Sequence, residues 1–82
     1  MKIHVVFYGR LKQDVGTKQD EIELAQDGLT VHDLAGLLEA RYPALRDRLG
    51  GVAFAVNDTI VAGDYCLRDG DEAALLPPVS GG

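Results

Sequence analysis

One stretch of this 82-residue chain is patterned as a long amphipathic helix: TVHDLAGLLEARYP, residues 30–43. Val31, Leu34, Leu38 and Tyr42 recur at helical spacing, with Leu37 beside them. Thr30 can cap the first turn through its hydroxyl, and Asp33 three residues on makes a capping box. Pro43 ends the run, because it lacks an N–H and disfavours helical geometry in the residue before it. A lone helix with an apolar stripe needs another layer to cover that stripe. The remaining segments must therefore supply a sheet.

They are patterned to do so. KIHVVFYG is rich in β-branched and aromatic residues, with Ile3, Val5 and Phe7 on the more apolar side and His4, Val6 and Tyr8 on the other. RLKQDVGTKQD is polar and broken at Gly16, which predicts a connection with one helical turn. DEIELA predicts a second strand, Ile22 and Leu24 inward and Glu21 and Glu23 outward. After the helix, ALRDRLGG reads as a short helix or an ordered loop, with Leu45 and Leu49 one turn apart. GVAFAVNDTIVAG reads as a hairpin turning at Asn57 and Asp58. DYCLRDGD is a loop, and Glu72 to Leu76 form a last strand stopped by Pro77 and Pro78.

The order is two strands, a helix, then three strand segments. The fold class is α+β: a mixed sheet of four to five strands with one main helix on one face, the β-grasp or ubiquitin-like arrangement. The first and last strands are candidates for neighbours at the sheet centre. Residues 1–82 read as one domain, with an extended tail over residues 77–82.

A chain this short buries a modest core and has little room for a deep catalytic cleft, which favours a carrier, adaptor or subunit. With 13 acidic and 8 basic residues its formal charge is -5. No cluster of cations along the sequence is there to neutralise phosphates, so nucleic acid is an unexpected partner and basic protein surfaces are favoured. Cys66 is the single cysteine, so no disulfide framework is expected. No apolar run approaches membrane-spanning length and the N-terminus turns polar too early for a signal peptide, so no membrane partner and a cytoplasmic location are expected.

The last eight residues, LLPPVSGG, carry graded chemistry. Pro77 and Pro78 hold the chain extended as it leaves the last strand. The four residues from Val79 to Gly82 reach about 13 Å at ~3.3 Å each, enough to enter a neighbouring protein's cleft. Ser80 has no candidate base near it in sequence; its small size explains its presence. Gly81 and Gly82 lack Cβ atoms, so they can thread a narrow channel and leave the terminal carbonyl open to attack. A free carboxylate resists nucleophiles, but ATP can convert it to an acyl-adenylate. A sulfur donor that displaces AMP then leaves a thiocarboxylate, a sulfur nucleophile on a short arm.

Together VNDTIV, DGDEAALLPPVSGG and the opening strand followed by Val15-Gly16-Thr17 identify a likeness. The chain resembles the molybdopterin synthase small subunits, the sulfur carriers of molybdenum cofactor synthesis, over its whole length. Residues 69–82 are the specific part, with the family's two terminal glycines falling on Gly81 and Gly82. The family often has bulky aromatics before the prolines, where Leu75 and Leu76 stand here. The resemblance implies that a ubiquitin-activating-like adenylyltransferase uses ATP on Gly82. It implies that a desulfurase or rhodanese-type sulfur donor then makes the thiocarboxylate. The tail, Gly81 and Gly82 foremost, would enter the large subunit and give sulfur to precursor Z, two charged carriers per dithiolene. Two small and two large subunits would form the synthase, with the catalytic side chains in the large one. No bound cofactor is implied.

If Ile3, Val5 and Phe7 face the helix, then Tyr8, Ile60 and Leu76 form an apolar patch on the open sheet face, or else fill a second small core. With Pro77, Pro78, Val79 and Ser80 the patch makes a candidate partner surface. Cys66 reads as a small buried hydrophobe, His4 and His32 lack metal-ligand spacing, and Asp69, Asp71 and Glu72 read as a turn with a solvated rim. Gly9 and Gly63 read as strand-end punctuation. Alternatives with the same fold are a sulfur carrier for thiamin, cysteine or tungsten-cofactor synthesis, a ubiquitin-like modifier of lysines, and a binding module with an inert tail.

Overall fold

A computed structural model of the chain describes residues 1–25 and 27–78. The elements run β1 (Lys2–Phe7), α1 (Arg10–Val15), β2 (Gln19–Glu23), α2 (Val31–Arg41), a 3-10 turn at Pro43–Leu45, β3 (Ala53–Val56), β4 (Thr59–Val61) and β5 (Glu72–Leu76). They form one five-stranded sheet in the order β2-β1-β5-β3-β4. The pair β1 and β5 is parallel and the other ladders are antiparallel. The first and last strands thus meet at the centre, as the sequence suggests.

Helix α2 begins where Thr30 predicts. The Thr30 Oγ1 accepts from the Asp33 N–H and the Asp33 carboxylate accepts from the Thr30 N–H, both at 3.1 Å. These bonds satisfy two donors that the first turn would leave orphaned, and they hold the Asp33 carboxyl below its ordinary range. Val31, Leu34 and Leu38 point into the core against Ile3, Val5 and Phe7 of β1 and Ala73 and Leu75 of β5. Each such large aliphatic side chain contributes about 1.5–3 kcal/mol by leaving water. Leu37, one step off that stripe, remains exposed.

The far end of α2 is tied to the sheet edge. Arg41 Nε donates to Asp20 Oδ2 at 2.8 Å, and the Tyr42 hydroxyl donates to the same oxygen. The Tyr42 ring meets Phe7 edge to face, centroids 5.6 Å apart. Partial burial pushes the Asp20 carboxyl up, but the bonds from Tyr42 and Arg41 outweigh it and hold that carboxyl below its usual range.

Four details differ from the sequence expectations. The polar connection holds a six-residue helix, α1, and its Leu11 is fully inside the core. Leu67, in the segment read as a plain loop, is also core, because its N–H bonds to the Leu29 carbonyl and pins it beneath the sheet. Its neighbour Cys66 is consequently turned outward and exposed, not buried. The carboxylate run is not simply a solvated rim: Asp71 is 8% exposed. Its two oxygens accept from the Arg68 N–H at 2.8 Å and the Asn57 amide at 3.0 Å. Asn57 and Asp58 both have positive φ, 50° and 71°, the geometry of a two-residue hairpin turn whose twist suits the strands. Asp71 therefore fastens the β3–β4 turn to the start of β5.

Candidate functional site

The chain leaves the sheet along β5, a strand bonded on both sides, and then through Pro77. Pro77 is half-buried and packs on Gly9, the residue that links β1 to α1. A Cβ placed on Gly9 would stand 2.9 Å from Pro77 Cγ, closer than real side chains approach. Gly9 also has φ 57° and ψ -137°, a region that L side chains avoid. Gly9 is therefore the seat of the tail's first proline and not simply the end of a strand. Pro78 is exposed, and a Cβ placed on Gly51 would stand 3.6 Å from Pro78 Cγ, an ordinary contact. Val79, Ser80, Gly81 and Gly82 lie outside the described residues, so the expectations placed on them stand on sequence alone.

The face of the sheet opposite α2 can be read from the register. Val6 pairs with Ala74, Ala74 with Ala55, and Ala55 with Ile60, so these four share one row across β1, β5, β3 and β4. Leu76 and Ala53 form the next row. Tyr8 follows at the end of β1, its N–H donating to the Leu75 carbonyl at 3.3 Å. Tyr8 is 47% and Ile60 67% exposed, while Leu76 is half-buried. Val6 and Ala55, though on this face, are shielded by their larger neighbours. At ~4.8 Å per strand, Ile60 sits about 14 Å from the β1 side of the sheet, with small alanines between. The structure thus places Tyr8, Ile60 and Leu76 on one open face whose middle is floored by methyl groups. The second small core considered for them is absent among the described residues. This face adjoins the point where the tail departs.

Among the described residues no group of three or more His, Cys, Asp or Glu side chains is placed to hold a metal ion. No helix among them is long and apolar enough to cross a membrane. His4 Nε2 lies 3.0 Å from Gln19 Oε1 on the sheet surface and approaches no other histidine.

A mixed five-stranded sheet with parallel first and last strands at its centre, crossed on one face by one main helix, is the ubiquitin-like β-grasp. Here its last strand runs directly into Pro77 and Pro78. The chain belongs to the ThiS family, whose model matches residues 5–82. It is 37% identical to the molybdopterin synthase sulfur carrier subunit of Mycobacterium tuberculosis, an alignment covering 100% of this chain and 99% of that protein. Among solved structures it is similar to molybdopterin converting factor subunit 1 from Pyrococcus furiosus, with TM-score 0.88 and 31% identity over 96% of this chain and 99% of that one. It is also similar to a chain in the complex of subunits 1 and 2 of molybdopterin-converting factor from Helicobacter pylori, with TM-score 0.71, 30% identity and complete coverage of both chains.

The sequence reading missed the seat at Gly9. Its signal is the Tyr-Gly-Arg break directly after an apolar strand, but its partner lies 68 positions away and is visible only once β1 and β5 are known to be parallel.

Proposed function

We infer that this chain is the sulfur-carrying subunit of a molybdopterin synthase, with the α-carboxyl group of Gly82 as its working group. The observation that carries this reading is the end-to-end correspondence with the sulfur carrier subunit of Mycobacterium tuberculosis. In this reading the Gly82 carboxylate attacks the α-phosphorus of ATP on an adenylyltransferase, releasing pyrophosphate. Sulfur from a donor protein then displaces AMP at the carbonyl carbon and leaves a thiocarboxylate. Inside the large subunit the sulfur passes to precursor Z while water adds its oxygen to the Gly82 carbonyl carbon, so that the carrier's C–S bond breaks and the carboxylate is restored. The sheet contributes rigidity: β5 fixes direction, the Pro77 seat on Gly9 fixes the exit, and the Tyr8–Ile60–Leu76 face supplies apolar docking area against the large subunit. Two such carriers flank two large subunits, in the cytoplasm.

Intact mass spectrometry tests it. Incubation with ATP, the adenylyltransferase and a sulfide source should add the mass of one oxygen-for-sulfur exchange, mapped to Gly82, and the charged chain should then sulfurate precursor Z. An unchanged mass, or full activity from a chain amidated at Gly82, refutes the reading. Covalent ladders on lysines in cell extract, in place of sulfur gain, identify a protein modifier instead.

A further inference from the structure

Three of the eight cations of this acidic chain, Arg10, Arg46 and Arg48, are gathered around one open cleft of about 490 Å³. Pro77 and Pro78 form part of its wall. Arg10 opens α1 and the other two follow the 3-10 turn, so residues 36 positions apart converge at the root of the tail. Two carboxylates share the cleft. Asp14 faces Arg48: its Oδ2 is buried, accepts no hydrogen bond among the described residues, and lies 3.7 Å from Arg48 Nη1. Asp47 is exposed, on a backbone with φ 67°. Arg10 and Arg46 are exposed and form no ion pair among the described residues. The net charge of -5 would steer the whole molecule toward basic surfaces, yet the sign reverses locally where the tail emerges.

We propose that this cleft docks an acidic segment of the large subunit that receives the tail, and that Arg10 and Arg46 steer the carrier so that the tail meets its channel. The two prolines that lead to residues 79–82 also line the cleft, so a protein that encloses those residues comes close to it. The lining selects the occupant's chemistry. Half-buried Val52 and Pro77 give the lining apolar area beside the guanidinium groups, which suits a peptide with carboxylates on an apolar stem. A free phosphate would find neither a buried cation nor an enclosed pocket, since Arg10 and Arg46 both lie open to solvent. The proposal rests on the molybdopterin synthase reading and adds to it a second, electrostatic contact beside the apolar face.

The test measures association of the full chain with its cognate large subunit at about 0.1 M and about 1 M salt, where the screening lengths are about 10 Å and about 3 Å. The double variant Arg10→Glu/Arg46→Glu should associate about 10-fold or more slowly than wild type at the lower salt, with the rates converging at the higher. Arg10→Gln/Arg46→Gln should fall between them, and guards against misfolding of the reversed variant. Dissociation rates should hardly move. Association of the double variant at the wild-type rate in low salt overturns the proposal while leaving the sulfur-carrier reading intact. Failure of the wild-type chain to bind the large subunit at all overturns both. Concentration-dependent dimerisation of the chain alone, abolished by the double variant, assigns the cleft to a second copy and overturns the proposal.

Discussion

Replacing Gly9 by alanine puts a methyl group where the ring of Pro77 already sits. Two costs can be worked separately from the structure. The first is conformational: φ 57° and ψ -137° belong to a region open almost only to glycine, and an L residue held there costs about 1–3 kcal/mol. The second is steric. A Cβ 2.9 Å from Pro77 Cγ forces the ring or β5 to shift, and overpacking of this kind costs about 1–3 kcal/mol. Together they should lower the midpoint of thermal unfolding by about 10 °C or more, at about 4–8 °C per kcal/mol for a domain of this size. Gly16→Ala is the control. It has φ 82° but nothing within 4 Å of the added Cβ, so it meets only the conformational cost of about 1–2 kcal/mol. A double-mutant cycle isolates the contact: Pro77→Ala in the Gly9→Ala background should recover about 1 kcal/mol or more of the loss. Circular dichroism melts supply all four corners. If Gly9→Ala melts with Gly16→Ala, and the cycle shows no coupling, then Pro77 is not seated on Gly9 and the account of how the tail is aimed is wrong.

Three other outcomes are expected. Leu76→Asp should weaken binding to the large subunit by about 10-fold or more in a calorimetric titration while the melt stays near wild type, because it charges the open face and leaves the helix-side core alone. Asp71→Ala should cost about 1–3 kcal/mol in urea unfolding, since the Arg68 N–H and the Asn57 amide lose their acceptor at a buried site. The Asp20 carboxyl is held below its ordinary value in the fold, so its contribution is present at pH above about 4 and is lost as the pH falls further, through the folded-state value. Urea midpoints measured from neutral pH down into the acid range should therefore fall less steeply for Asp20→Asn than for wild type.

Much of this architecture is written in local chemistry. Thr30, Asp33 and Pro43 bound α2 because capping and chain-stopping act within a few residues. Asn57 and Asp58 mark the hairpin because positive φ is tolerated by few side chains. Alternation in β1 sorts Ile3, Val5 and Phe7 from Tyr8 because the strand period is two. What was not legible depends on partners distant in sequence. Leu11 looks like one apolar residue in a polar run, and only the docking of α1 beside Pro43–Leu45 buries it. Asp71 looks like its acidic neighbours until the β3–β4 turn brings the Asn57 amide to donate to it. The seat at Gly9 and the arginine cleft each need the parallel pairing of the chain's two ends. The open face is intermediate: the sequence names Tyr8, Ile60 and Leu76, but the alanine floor between them follows only from the register.

The strand that bears the tail lies between β1 and β3 and is laced to both. In the proposed function the end of the chain is drawn out of a channel, and a pull along β5 then loads both ladders lengthwise at once. A strand at the rim of the sheet would carry the same load on a single ladder. In that reading the central position of β5 lets one molecule be used, withdrawn and used again with its sheet intact.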